Sequence, residues 1–150
     1  MKVLFVCTGN TCRSCMAEVI FNESCDMDGV EAISAGLSII SGSKASKNSS
    51  EIILSNYNKD ISKRYAVQLT PNLLKEAHLV LTMTSYIKEI LQSYYPEMKD
   101  KIYTLNEYVG VKGDIIDPYG GHISVYKKTF FELKNRIELL LAKLKEDIGI

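Results

Sequence analysis

Short apolar runs alternate with amphipathic segments along the 150-residue chain. Residues Lys2–Cys7 form a β-branched and aromatic run that is apolar on both faces, which is typical of a buried parallel strand. Similar runs at residues 31–36, 78–83 and 101–105 are candidates for three further strands. The apolar pattern therefore predicts four short strands.

Segments with helical spacing separate these strands. They lie at residues 16–23, 51–57, 85–95 and 125–148, and another helix is predicted to open at Thr70-Pro71. In the last segment the apolar residues share one stripe, formed by Phe130, Leu133, Ile137, Leu140, Leu141 and Leu144. Because strands alternate with helices, we predict a single α/β domain with a parallel sheet over residues 1–150.

The composition is that of an ordinary globular domain. Hydrophobic residues make up 46% of the chain and charged residues 24%, which is enough apolar side chain to close one core. The 18 basic side chains balance 18 acidic ones, so the formal net charge is zero. Proteins whose main partner is DNA or RNA normally carry a basic excess, so the charge argues against a nucleic-acid partner.

The amino-terminal apolar run does not predict a membrane segment. It ends at Cys7 and polar Thr8 follows, whereas a helix that spans a bilayer needs about 20 apolar residues. The run also lacks the long apolar core and the small-residue cleavage site of a signal peptide. We therefore expect a cytoplasmic protein without membrane association, and we expect it to be a monomer.

The four cysteines all lie in the first sixth of the chain, at positions 7, 12, 15 and 25. The disulfide framework of a secreted domain would be spread across the fold and would connect distant segments. This cluster cannot do so. It indicates local chemistry instead: a reactive thiol, a redox pair or a metal site.

The polar segment after the first strand has the features of an anion-binding loop. Cys7 ends the strand and Arg13 follows six residues later, just before a helix, in the pattern Cys-x5-Arg-Ser. Ligands of open α/β sheets bind beyond the carboxyl ends of strands, and N–H groups at a helix N-terminus attract anions. Gly9 and Asn10 tolerate left-handed backbone, and Ser14 suits the N-cap of the helix. Arg13 adds a planar fork that matches two phosphate oxygens, and such a cradle favours Cys7 as a thiolate nucleophile.

This loop resembles the active-site loop of the low-molecular-weight protein tyrosine phosphatases, and it reads Val6-Cys7-Thr8-Gly9-Asn10-Thr11-Cys12-Arg13-Ser14. A second motif is similar to the acid loop of that family, and it reads Asp117-Pro118-Tyr119-Gly120-Gly121. Ser34-Ala35-Gly36 also fits, and the resemblance covers nearly the whole chain. It implies a four-stranded parallel sheet with helices on both faces, and no metal or organic cofactor.

The resemblance also implies roles for the matching residues. Cys7 attacks phosphorus and becomes a phosphocysteine, while Arg13 and the loop amides from Thr8 to Ser14 hold the phosphoryl oxygens. Ser14 stabilises the thiolate that leaves in the second step, and Asn10 holds the loop by side-chain hydrogen bonds. Asp117 protonates the leaving group and then activates water, so that phosphorylated protein substrates yield inorganic phosphate.

Cys15 departs from the family pattern, which usually has proline directly after the Arg-Ser pair. Cys12 matches the second loop cysteine of the family, and the resemblance implies a reversible disulfide between Cys7 and Cys12 under oxidation. Cys15 places a third thiol near the pocket and could compete for that role. Both pairings stay open on the sequence.

Thr11 bears on the choice of substrate. Phosphotyrosine members commonly carry a bulky aliphatic residue here, whereas members resembling bacterial protein-arginine phosphatases carry threonine and a glycine pair such as Gly120-Gly121. A hydroxyl at Thr11 suits a polar phosphoramidate better than a phenyl ester. Asp117 could pair with the substrate guanidinium, and Tyr119 would line the wall. We therefore favour phosphoarginine in proteins as the substrate, with phosphotyrosine as the alternative.

Two other classes of protein share parts of the pattern. The spacing Cys7-x4-Cys12-x2-Cys15 matches plant-type ferredoxins, so an iron–sulfur or zinc-binding redox protein is an alternative. Its fourth ligand would be Cys25, which at about 1.5 Å rise per residue lies roughly 15 Å beyond Cys15 on the predicted helix. Thioredoxin-coupled arsenate reductases resemble this chain in the same loop. Their mechanism resembles a cysteine relay that needs two further thiols later in the chain, and no cysteine follows Cys25 here.

Overall fold

The computed structural model describes residues 1–149, and its centre is a four-stranded sheet. The strands are β1 (Lys2–Cys7), β2 (Glu31–Gly36), β3 (Leu79–Thr82) and β4 (Ile102–Thr104). Every neighbouring pair is parallel, and the order across the sheet is β2-β1-β3-β4. The predicted sheet is confirmed. Ile150, at the end of the predicted domain, lies outside the described residues.

Helices connect the strands. They are α1 (Arg13–Ser24), α2 (Lys47–Tyr57), α3 (Pro71–Glu76), α4 (Ser85–Tyr94), α5 (Leu105–Tyr108) and α6 (Ile123–Ile148), with a 3-10 helix at Pro96–Lys101. In the described part of the chain, no helix combines the length and the apolar character that crossing a bilayer requires.

The sheet separates two hydrophobic cores. Side chains of β1 alternate between its faces, so Val3 and Phe5 join one core while Leu4 and Val6 join the other. The first core is closed by α1, α2 and α6, and the second by α3 and α4. Burying each of these large apolar side chains contributes about 1.5–3 kcal/mol. Helices therefore cover both faces, as expected.

The long C-terminal helix packs by the stripe that its sequence predicts. All six apolar stripe residues of α6 are buried, namely Phe130, Leu133, Ile137, Leu140, Leu141 and Leu144. Tyr126, one turn from the start of α6, is buried as well and lies in the same core as residues of α1. The N-terminal end of α6 therefore lies beside the loop that follows β1.

Polar capping residues explain two differences between the predicted and the observed helices. Helix α2 begins at Lys47, four residues before the predicted start at Glu51, since the Ser46 hydroxyl accepts a hydrogen bond from the Ser49 N–H. The short helix α5 was not predicted, and it rests on a reciprocal capping box between Thr104 and Glu107.

The prediction that Ser14 caps α1 is wrong. Helix α1 begins one residue earlier, at Arg13, and its N-cap is Cys12, which makes no side-chain capping hydrogen bond. The Ser14 hydroxyl is engaged elsewhere, because it accepts a hydrogen bond from the Asn10 side chain and lies beside the sulfur of Cys7. Ser14 therefore belongs to the loop's internal network and not to the helix cap.

The strand order opens a crevice at the end of β1. The chain runs outward from β1 to β2 and then returns past β1 to β3, so the connections on the two sides of β1 diverge. In open α/β sheets ligands bind at such a point, beyond the carboxyl ends of the strands. Cys7 is the last residue of β1 and therefore lies at the base of this crevice.

Candidate active site

The loop from Thr8 to Cys12 presents unpaired backbone donors. Within residues 1–149, the N–H groups of Thr8, Gly9, Thr11 and Cys12 donate no hydrogen bond. The first N–H groups of α1, which follows directly, have no intrahelical acceptor either. All four residues line one pocket, and a ring of free N–H donors at a helix N-terminus indicates a site for an anion.

Cys7 lies at the base of this ring, and its side chain is almost fully enclosed. Its residue exposure is 3%, and the Asn10 backbone N–H donates to the sulfur at 3.2 Å. The Ser14 hydroxyl oxygen is 2.8 Å from the same sulfur. When Cys7 is a thiolate, the Asn10 N–H and the Ser14 hydroxyl both donate to it, an arrangement that stabilises negative charge on the sulfur.

Asn10 holds the loop in its unusual shape. Its backbone is left-handed, with φ of 57°, which few residues other than glycine and asparagine adopt. The side-chain nitrogen donates to Ser14 at 2.7 Å and to Ser34 at 3.0 Å, and the side-chain oxygen accepts from the Val67 N–H at 2.9 Å. Gly9, by contrast, does not have positive φ, so the sequence argument for left-handed backbone applies to Asn10 only.

Arg64 completes this support, and sequence reasoning missed it. One guanidinium nitrogen donates to the Asn10 side-chain oxygen at 3.0 Å, and another donates to the Ser34 hydroxyl at 2.8 Å. The same group is 3.5 Å from the carboxylate of Glu18. Arg64 lies in a loop far along the chain from Asn10, so no local pattern marks it as part of the site.

Gly36 allows the loop to approach β2. A Cβ atom at this position would lie 2.8 Å from the Thr8 carbonyl oxygen and 2.7 Å from a methyl group of Ile39. The Leu37 N–H also donates to the Cys7 carbonyl oxygen at 2.8 Å. The segment Ser34-Ala35-Gly36 therefore serves the loop by close backbone packing, which only glycine permits at its last position.

Arg13 is buried but its hydrogen bonding is incomplete. Its side chain is 4% exposed, and one terminal nitrogen donates to the Ile115 carbonyl oxygen at 3.0 Å. Its Nε is enclosed and has no hydrogen-bond partner among the described residues. A guanidinium with a buried, unused N–H beside a ring of free amides fits a tetrahedral oxyanion.

Asp117 lies above the guanidinium of Arg13. One carboxylate oxygen is 3.7 Å from the Arg13 terminal nitrogen, and the other accepts the Tyr119 N–H at 3.0 Å within the Asp-Pro turn. The Asp117 side chain is 50% exposed and Tyr119 is 80% exposed. One carboxylate oxygen of Asp117 therefore stabilises the turn, while the other faces Arg13 in the pocket.

These groups line one pocket of about 790 Å³. All the residues predicted for the site line it except Ser14, which lies beneath the loop, and Cys15, which lies in the core. The segment between β2 and α2, together with the first turn of α2, supplies lining residues that sequence reasoning did not select: Ser38, Ile40, Ser43, Lys44, Ser46, Lys47 and Asn48. The pocket also includes Tyr126 of α6.

The loop cysteines have different surroundings. The Cys12 thiol lines the pocket and lies 3.5 Å from the Ser46 hydroxyl and 3.6 Å from that of Tyr126. Desolvation, together with Cys12 beside it, raises the pKa of Tyr126 to about 12, so its hydroxyl keeps its proton at neutral pH. Cys15 is fully buried, and burial raises the pKa of its thiol far above the usual range.

The fourth cysteine lies apart from this loop. Cys25 follows the last residue of α1, and its thiol points toward the Met27 and Val30 carbonyl groups. Residues 1–149 contain no group of three histidine, cysteine or acidic side chains placed to hold a metal ion. The cysteine spacing that resembles a ferredoxin therefore does not form a four-thiol cluster in this fold.

A family model for low molecular weight phosphotyrosine protein phosphatases matches residues 2–149. The chain belongs to this family. It is therefore a phosphatase of the cysteine-dependent kind, as the loop resemblance implied.

Relatives within the family carry two kinds of name. The protein-arginine-phosphatase of Bacillus subtilis is 40% identical to this chain over 98% of it and 99% of its own length. That of Geobacillus stearothermophilus is 41% identical over 97% of both chains. The low molecular weight protein-tyrosine-phosphatase PtpB of Staphylococcus haemolyticus is 41% identical over 89% of this chain and 92% of its own.

Solved structures confirm the family fold. A low molecular weight protein tyrosine phosphatase from T. tengcongensis is 49% identical, with a TM-score of 0.90 over 95% of this chain and 99% of its own. A mutant of the YwlE arginine phosphatase with a phosphorylated active-site serine is 39% identical, with a TM-score of 0.90 over 98% of this chain and 97% of its own. The names thus leave the substrate to be argued from the site of this chain.

Proposed function

We propose that this phosphatase hydrolyses phosphoarginine in proteins, with Cys7, Arg13 and Asp117 as its catalytic residues. Thr11 supports this choice of substrate. It is a loop residue that lines the pocket, and it offers a hydroxyl group at a position where an aliphatic side chain would pack better against the phenyl ring of phosphotyrosine. Its hydroxyl is 3.7 Å from the Cys12 sulfur, a weak contact that leaves it available to a polar substrate. The two protein-arginine-phosphatases above support the same choice.

The first step transfers the phosphoryl group to sulfur. The Cys7 thiolate attacks phosphorus, an S–P bond forms and the P–N bond to the guanidine breaks. Asp117 gives its proton to the departing nitrogen, so arginine leaves without a high-energy anion. Arg13 and the free amides of the loop hold the phosphoryl oxygens during the transfer.

The second step releases the phosphoryl group to water. Asp117, now a carboxylate, takes a proton from water as the water oxygen attacks phosphorus. The S–P bond breaks, inorganic phosphate leaves and the Cys7 thiolate is regenerated. Ser14, with its hydroxyl 2.8 Å from the sulfur, stabilises that thiolate as it leaves.

Comparison of matched phosphoarginine and phosphotyrosine proteins tests the substrate. We expect a clear preference in kcat/KM for phosphoarginine, which weakens or inverts in Thr11→Ile. Thr11→Ser keeps the hydroxyl and should keep the preference, whereas Thr11→Val removes the hydroxyl at nearly constant volume and should lose it. A wild-type preference for phosphotyrosine would end the proposal.

Phosphotyrosine is the second candidate substrate, because one relative of similar identity and one solved neighbour carry that name. Exposed Tyr119 and Ile40 both line the pocket and offer the apolar contact that a phenyl ring prefers. If this candidate is right, Thr11→Ile raises kcat/KM on phosphotyrosine from an already dominant wild-type value. Both candidates use the same cysteine chemistry.

We also propose that oxidation joins Cys7 to Cys12 in preference to Cys15. The Cys12 thiol lines the same pocket as Cys7, whereas the Cys15 thiol is fully buried and faces the Cys12 carbonyl oxygen at 3.2 Å. Because burial raises the pKa of Cys15, that thiol stays protonated and reacts slowly.

The working form of the protein is proposed to be a cytoplasmic monomer without metal or organic cofactor. The chemistry above uses only side chains and backbone amides of this chain, together with water. Sedimentation analysis of the purified chain tests the monomer, and activity in the presence of a chelator tests the absence of a required metal.

A further inference from the structure

One wall of the pocket carries two lysines that the proposed chemistry does not use. Lys44 and Lys47 both line the pocket and are exposed to solvent. Within residues 1–149, neither ammonium group has a carboxylate within 4.0 Å. The whole chain has no net charge, so this wall is a local excess of positive charge.

Lys44 is held in place by the fold. It pairs with Tyr65 in an isolated antiparallel bridge, and beside it the Ala45 N–H donates to the Arg64 carbonyl oxygen at 3.0 Å. Its ammonium lies 5.1 Å from the centre of the Tyr65 ring, within range of a cation–π interaction. Lys44 is thus a partly ordered cation, and it loses less conformational freedom when it binds an anion.

Lys47 stands where folding alone disfavours it. It is the first residue of α2, and the first turn of that helix contains no acidic residue. A cation at a helix N-terminus is repelled by the helix dipole, which favours acidic side chains there. The helix dipole therefore does not stabilise Lys47 at this position, and its charge adds to the positive potential beside the pocket.

We infer that Lys44 and Lys47 select substrates with aspartate or glutamate close to the phosphorylated residue. The inference rests on the proposed phosphatase function, whichever phosphorylated residue is taken. When the phosphorylated side chain enters the loop, the flanking polypeptide lies across the pocket rim. Neighbouring residues of an extended chain then follow at about 3.3–3.6 Å each, within reach of both long lysine side chains.

Matched phosphopeptides that differ only in flanking charge test this inference. We expect kcat/KM to be about 2- to 5-fold higher for each flanking glutamate than for glutamine, an advantage that shrinks as salt increases. In the double variant Lys44→Glu with Lys47→Glu, peptides with flanking lysine should become the better substrates. Lys134→Glu is the matched control, because Lys134 is exposed on α6 and does not line the pocket, and it should retain the wild-type ratio.

The ratio between peptides separates the possible outcomes. The inference would be overturned if the wild type hydrolysed all the peptides at equal rates. It would also be overturned if the charge-reversal variant slowed every peptide equally, since the lysines would then attract only the phosphoryl group. The double variant Lys44→Gln with Lys47→Gln repeats the test without new charges and should show no flank preference. Absence of hydrolysis of every peptide and of aryl phosphates would instead contradict the proposed function.

Discussion

Ser14 and Cys7 are joined by a hydrogen bond of 2.8 Å between hydroxyl oxygen and sulfur. The Ser14 oxygen also accepts a 2.7 Å hydrogen bond from the Asn10 side chain. A Cys7 thiolate has no proton to donate, so the Ser14 hydroxyl donates to it while its oxygen accepts from Asn10. The loop thus orients a donor toward the atom that has to leave in the second half of the proposed reaction.

Ser14→Ala is expected to slow breakdown of the phosphocysteine more than its formation. Loss of one hydrogen bond to a charged sulfur should lower kcat about 10- to 100-fold. Rapid-mixing kinetics should show a larger burst of released leaving group before the slow steady state. Ser24→Ala, which removes an exposed serine at the far end of α1, is the control and should behave as the wild type. A fall in kcat without a larger burst would contradict this role.

Arg64→Met is expected to impair the loop without touching substrate. The variant removes the hydrogen bonds to Asn10 and Ser34 and leaves the Glu18 carboxylate without its cationic partner, although the Ser34 hydroxyl still donates to it. We expect kcat to fall about tenfold or more, and the free energy of unfolding to fall by about 1–3 kcal/mol.

A second change tests the ion-pair part of that loss. Adding Glu18→Gln to Arg64→Met removes the carboxylate charge that has lost its cation and should recover part of the stability but little of the activity. Arg64→Lys should restore kcat in part, since an ammonium can still donate to Asn10. If Arg64→Met changed KM alone, Arg64 would act on the substrate and not through Asn10.

Gly36→Ala is expected to displace the anion-binding loop. The added methyl group would lie 2.8 Å from the Thr8 carbonyl oxygen, so the backbone has to move. Inhibition by inorganic phosphate, and kcat/KM for every substrate, should fall together.

Gly29→Ala is the control for the loss of a glycine. Gly29 has φ of +74° and open space around it, so alanine there should cost about 1–2 kcal/mol of stability through backbone strain and leave phosphate inhibition unchanged. Equal effects of both variants on phosphate inhibition would rule out the packing argument.

Asp117→Asn should act according to the leaving group. Phenyl phosphate, whose leaving group needs a proton, should slow about 100-fold or more, while p-nitrophenyl phosphate should slow much less. Asp114→Asn changes a nearby aspartate whose carboxylate accepts hydrogen bonds from Ser85, and it should not discriminate between the two esters. Equal losses on both esters in Asp117→Asn would remove Asp117 from the role of acid.

Treatment with peroxide should produce a linkage that thiols reverse. Mass spectrometry should find Cys7 joined to Cys12 in the wild type and in Cys15→Ala, and no such linkage in Cys12→Ala. Recovery of activity after dithiothreitol should follow the same pattern. A Cys7–Cys15 linkage, or sulfonic acid at Cys7 with no linkage, would contradict the proposed pairing.

The sequence by itself determined the sheet and the loop after β1. Strand, loop and helix start are contiguous there. Local backbone preferences between Cys7 and Arg13 therefore determine most of the shape of the loop. The apolar stripe of α6 is likewise visible, because a helix repeats every 3.6 residues and the buried face follows from that period.

Tertiary structure decided what depends on pairs distant in sequence. The hydrogen bonds from Arg64 to Asn10, the position of Asp117 over Arg13 and the lysines of the pocket wall arise only when separate loops meet at one sheet edge. Ser14 shows the same limit at short range: its residue type suits a helix cap, yet the sulfur of Cys7 and the Asn10 amide are better placed to engage its hydroxyl. Local propensity is worth about 1 kcal/mol at such a position, so a buried hydrogen-bond network outweighs it.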